Sequence, residues 1–160
     1  MTWMKALHTG IGAKRASEED AEGLEKEILL AENAKIMITR NLWTTAGLVN
    51  GAQGIVHQII YPPGANPQQD LPAVILVKMD VYTGPPSPWT DGDISLIPIV
   101  PSIARWESST GSQCSQKQFP LTVAFGITIH KSQGMTLDHA VLELGPKDFA
   151  PGLAFVGISR

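Results

Sequence analysis

The residues with the most chemical potential lie together in IHKSQGMT, positions 129–136. Lys131 supplies a charge, Ser132 and Gln133 supply neutral donors, and Gly134 lets backbone approach a ligand closely. This set suits contact with a phosphate backbone. The plain alternative is a polar loop after a buried element. His130, taken alone, reads as a hydrogen-bonded structural histidine. A second candidate is Arg160, at the end of the apolar stretch GLAFVGIS (152–159). By itself this residue reads as an ordinary surface arginine.

The elements that must position these groups are short. LTVAFGITI (121–129) runs directly into the polar cluster. It reads as a short strand at 119–122 followed by a helix to about Lys131. AVLEL (140–144) reads as a buried strand and 152–159 as a short helix. Upstream, EILLA (27–31) and KIMIT (35–39) read as paired strands, and Ser17 ahead of acidic residues reads as a helix N-cap. Asn50-Gly51 marks a tight turn. AQGIVHQIIY (52–61), AVILVKM (73–79), ISLIPIV (94–100) and IARW (103–106) read as strands. They are separated by the Pro/Gly-rich loops 62–72 and 82–93. SSTGSQCSQKQ (108–118) reads as a hairpin tip or flexible loop. Short strands broken in this way predict a small β-barrel. Residues 1–16 read as a loose lead-in.

Composition sets bounds. The chain has 160 residues, of which 43% are hydrophobic, enough for a core. The single cysteine, Cys114, excludes an intrachain disulfide and reads as an inert surface thiol in a reducing compartment. His8, His57, His139 and Cys114 lack metal-ligand spacing, so no metal is assigned. No apolar run approaches the ~20 residues that span a bilayer, which points to an intracellular protein without a membrane partner. Net charge is −3, but seven of the fifteen acids fall between Glu18 and Glu32. None occurs from Asn33 to Gln69 or from Ser108 to Leu137. Local phosphate contact fits those acid-free windows, with strong salt dependence. Trp43, Trp89 and Trp106 could stack on bases. Trp106 fits a core position better, and Trp89, in a Pro-rich loop, is the better exposed candidate.

IHKSQGMTL and FVGISR, about twenty residues apart, resemble the last two motifs of superfamily 1 helicases, in particular the Pif-type and RecD-like branch. RNLWTTAGLVNGAQGIV (40–56) resembles the sequence opening the small barrel inserted in that family's second motor domain. The wording HTG, NLWT and GLVNG is most similar to fungal and helitron-like members. The resemblance runs from about Ala6 to Arg160 and covers only the back part of a helicase. It implies an α/β fold with an inserted all-β barrel: a partial RecA-like second lobe, a parallel-sheet fragment, plus a Src-homology-like barrel. The implied divisions are a partly flexible leading segment at 1–34, the barrel at 35–118 and the lobe fragment at 119–160. It implies Arg160 as arginine finger and Gln133 and Gly134 as coupling to the nucleotide. It implies DNA contact by Thr128, His130, Lys131 and Ser132, with Asn50 and Trp89 added from the barrel.

The family uses ATP and Mg2+ and moves 5′ to 3′ on single-stranded or forked DNA, in the nucleus or mitochondrion. This sequence has no GxxxxGK[ST] phosphate loop and no Asp-Glu pair after an apolar strand. DAEG (20–23) follows AKRASEE and reads as a solvated face. The expectation is therefore a helicase fragment, inactive without the N-terminal motor lobe. The competing expectations are a non-catalytic single-strand-binding module and a degenerate protein-interaction domain.

Overall fold

The computed structural model describes residues 1–17, 19–108, 110–126, 141, 142, 155, 158 and 159. The chain forms two compact units, Met1–Ala124 and Phe125–Arg160. The described residues are mostly β-sheet with few helices.

The first unit is organised on the apolar runs. KIMI, QGIVHQII, VILVKM and IPI form β4 (Lys35–Ile38), β5 (Gln53–Ile60), β6 (Val74–Met79) and β9 (Ile97–Ile99). With β12 (Leu121–Val123) they make an antiparallel sheet in the order β12-β4-β5-β6-β9. One face of this sheet carries Ile36, Ile38, Val56, Ile75, Val77, Ile97, Ile99 and Leu121 into the main core, joined by Phe119. A second layer covers that face. It is the pair β1 (Thr2–Lys5) and β3 (Glu27–Leu30), which contributes Met4, Ile28 and Leu30. The third sheet has the order β10-β11-β2, from β10 (Ser102–Glu107), β11 (Gln113–Gln118) and β2 (Leu7–Thr9). A short hairpin, β7 (Thr90–Asp91) and β8 (Ile94–Ser95), interrupts the 82–93 loop.

The strands expected from apolar runs are present, but several expectations change. The runs 27–31 and 35–39 are both strands, yet they do not pair with each other. Asn33 takes a left-handed conformation (φ 65°) and its N–H donates to Val56 O at 2.8 Å, so the chain turns from one layer into the other. The leading residues are built into the fold, because β1 and β2 pair with strands distant in sequence. The helix expected after Ser17 stops at one turn. Its cap forms: Asp20 N–H donates to Ser17 Oγ at 3.0 Å, and Ser17 N–H donates back to Asp20 Oδ2 at 3.0 Å. Glu22 (φ 50°) and Gly23 (φ 79°) then leave helical geometry.

Residues 113–118 are a strand, not a loop tip; the turn ahead of it is closed by Ser108 N–H donating to Ser112 O at 2.9 Å. Cys114 is buried, not a surface thiol. The strand expected at 119–122 appears as β12, whose pairing among the described residues is antiparallel with β4 rather than parallel. Ala124–Gly126 are not helical, and the rest of the expected helix to Lys131 lies outside the described residues.

In the second unit, Val141 and Leu142 of the expected 140–144 strand are exposed and outside any strand. Ser159 N–H donates to Phe155 O at 3.1 Å, the spacing of a helical turn.

Candidate nucleic-acid interface

The described candidates, Asn50 and Trp89, sit in loops at one end of the five-stranded sheet. The registers Met37↔Gln53 and Gly54↔Met79 place the end of β4, the start of β5 and the end of β6 together there. The β4–β5 connection is closed by its own hydrogen bonds. Leu42 and Trp43 N–H donate to Leu48 O at 2.9 and 3.0 Å, and Leu48 N–H returns to Trp43 O at 3.0 Å. A 3-10 turn, Thr44–Ala46, lies inside this closure.

Asn50-Gly51 forms the expected turn. Ala52 N–H donates to Val49 O at 3.0 Å, and Gly51 has φ 95°, which favours glycine. Asn41 Oδ1 accepts from Asn50 N–H at 2.9 Å, which leaves the Asn50 side chain facing outward as an exposed amide.

The segment after β6 is tied to this loop. Thr83 N–H donates to Ala46 O at 3.1 Å and Thr83 Oγ1 to Thr45 O at 3.3 Å. Further along, Trp89 N–H donates to Ser87 Oγ at 3.1 Å, Ser87 Oγ donates to Leu96 O at 2.5 Å, and Leu96 N–H donates to Trp89 O at 2.8 Å. Trp89 is thus fixed in its backbone while its side chain stays 46% exposed, equal to Trp43. Both indoles present faces on which a base could stack. Trp106 packs against Ala21, Leu24 and Ala104, as a core residue would.

The charge at this end is mixed. Arg40 is engaged by Glu22. Asp80, Asp91 and Asp93 lie on the neighbouring strand end and hairpin, and Asp91 faces His57 at 3.5 Å. This end therefore offers stacking and amide donors more than phosphate neutralisation. The remaining candidates, Thr128, His130, Lys131, Ser132, Gln133, Gly134 and Arg160, lie outside the described residues.

Lys117, a cation of the second acid-free window, is brought by β10 and β11 to one exposed face with Arg105, a pairing the sequence did not reveal. The available signal was the alternation of QCSQKQ, which buries every second residue. The sequence has no phosphate loop, and the described residues form no group of three acids, histidines or cysteines able to hold a metal. No helix among the described residues is long and apolar enough to cross a membrane.

No family model matches the sequence. The chain is 34% identical over 142 residues to the ATP-dependent DNA helicase PIF1 of Danio rerio, covering 88% of this chain and 19% of that protein. It is 31% identical over 169 residues to the mouse (Mus musculus) helicase of the same name, covering 99% and 22%. The crystal structure of the Pif1 helicase from Candida albicans superposes with a TM-score of 0.67 at 25% identity, covering 99% of this chain and 36% of that one. A structure of two coordinating Pif1 helicases at forked double-stranded DNA matches with a TM-score of 0.65 at 26% identity, covering 99% and 30%. The chain spans about a fifth of the length of the curated relatives it matches. Across nearly its whole length, it is therefore similar in sequence and in fold to a portion of Pif1 ATP-dependent DNA helicases.

Proposed function

We infer that the chain is part of a Pif-type ATP-dependent 5′–3′ DNA helicase and supplies single-stranded DNA contact together with the arginine finger. The carrying observation is the similarity over 88% of the chain to a named helicase, matched by a common fold over 99% of it. In this reading 35–118 forms a Src-homology-like barrel together with strands β1, β2 and β3 from 1–34. The RecA-like second lobe, assigned by resemblance to 119–160, is carried in this reading by the residues beyond β12. The fungal or helitron-like wording narrows the branch. Lys131 and Ser132, with Thr128 and His130, contact the DNA backbone, and Gln133 and Gly134 pass that contact to the nucleotide. Arg160 acts as the cation for the transferring phosphoryl group. ATP and Mg2+ are held by the N-terminal motor lobe, which this sequence lacks, so these residues alone hydrolyse no ATP. The protein acts inside the cell, in nucleus or mitochondrion.

The test is anisotropy titration of a labelled single-stranded oligonucleotide at two salt concentrations, after circular dichroism establishes folding. Binding that weakens with salt and falls on Lys131→Ala supports the reading. A folded chain without affinity refutes its DNA-contact part. ATPase activity of the pure chain, abolished by Arg160→Ala, refutes the dependence on a second lobe.

A further inference from the structure

The outer face of the β10-β11-β2 sheet is a second candidate surface, independent of the loops around Asn50 and Trp89. Register aligns Leu7, Lys117 and Ile103 in one row across β2, β11 and β10. The next row is Thr9, Ser115 and Arg105. Cross-strand partners share a face, and diagonal neighbours stand about 7–8 Å apart. Lys117 and Arg105 are therefore diagonal neighbours on one surface, with an aliphatic side chain on each flank of Lys117. Leu7 is 47% and Ile103 42% exposed, and both cations are exposed. Neither cation has a carboxylate partner among the described residues, where the ion pairs are Arg40–Glu22 and His57–Asp91.

The other face of the sheet is closed and carries the acids. Ala104, Cys114 and Gln116 are buried there. Gln116 Nε2 donates to Leu24 O at 2.9 Å and Glu25 O at 3.2 Å, which ties the acidic segment Glu19–Glu25 behind the sheet. The turn Ala13–Arg15 follows Ile11, whose carbonyl accepts from Cys114 Sγ at 3.4 Å on that same closed side. The front face thus holds two cations, Arg105 and Lys117, while the segment Glu19–Glu25 is held on the other side of β11. The acid on the front face is Glu107, at the far end of β10.

We propose that this face carries the backbone of single-stranded DNA, with Arg105 and Lys117 on successive phosphates and Leu7 and Ile103 against sugar or base faces. The proposal rests on the DNA-binding reading above and adds to it a track outside the IHKSQG segment. Diagonal cations on a pleated surface match the phosphates of an extended strand. The face has no aromatic side chain, so attraction here is led by charge and released by salt.

The test uses the whole chain and labelled oligothymidylate at about 50 and about 200 mM salt. Arg105→Ala with Lys117→Ala removes two phosphate contacts. The log–log salt slope should become shallower by about 1.4, at about 0.7 per contact for single strands, so the loss between the two salts shrinks about sevenfold. Arg105→Lys with Lys117→Arg should keep the parent slope. Lys35→Ala with Lys78→Ala, on the five-stranded sheet, should keep it too. A parent-like slope in the first variant, while Lys131→Ala still weakens binding, overturns this proposal and leaves the DNA-binding reading intact. An equal change in the Lys35/Lys78 variant also overturns it, since charge anywhere would then suffice. A folded parent chain that binds no oligothymidylate overturns both.

Discussion

Replacing Gln116 by methionine keeps most of the side-chain volume and removes its amide. Gln116 is fully buried in β11, and its Nε2 serves the carbonyls of Leu24 and Glu25. The Leu24 carbonyl then loses its donor in the interior, at a cost of about 1–3 kcal/mol for an unsatisfied buried group. The bond to Glu25 is only partly buried, so water recovers much of it. Oε1 also faces His8 Nε2 at 3.2 Å, at a half-exposed site. The net expectation is about 2 kcal/mol, or a fall of about 8 °C in melting temperature for a unit of this size. Urea and thermal denaturation followed by circular dichroism measure it. Gln116→Ala should cost about 1–2 kcal/mol more, through the cavity left behind. His8→Ala should cost less than about 1 kcal/mol, because water replaces an exposed partner. Gln116→Met within about 0.5 kcal/mol of the parent would refute the reasoning, since the acidic segment would then need no amide to hold it.

Two glycines in the 47–54 stretch should respond in different ways. A Cβ on Gly54 would stand 2.6 Å from Lys78 O and 2.8 Å from Val77 Cγ1, so Gly54→Ala should cost about 2–3 kcal/mol by overpacking. A Cβ on Gly51 meets nothing within 4 Å, and the substitution costs only the strain of φ 95°, about 1 kcal/mol. Urea midpoints in the reverse order would contradict this. Cys114 is buried with Sγ directed at Ile11 O (3.4 Å), so a thiol reagent should label the native chain at least about tenfold more slowly than the unfolded chain. Equal rates would place the thiol at the surface.

The amino-acid sequence determined the local elements that depend on neighbours in the chain. β4, β5, β6 and β9 were legible because β-branched runs bounded by proline and glycine have few other stable conformations. The Asn50-Gly51 turn was legible because glycine takes positive φ without a steric penalty. The exposure of Trp89 followed from its proline-rich surroundings.

Tertiary structure alone decided which strands meet. β3 turns to β1 rather than to β4 because Asn33 sends its hydrogen bond to Val56, a residue 23 positions further on. β12 joins β4, and β2 joins β11 across more than a hundred residues, pairings that no local pattern encodes. The same is true of QCSQKQ. Glutamine reads as polar surface until two carbonyls from residues 24 and 25 are placed above it, and only then is its burial stable. Lys117 and Arg105, twelve positions apart in sequence, become neighbours through a strand register that is set by packing across the whole unit.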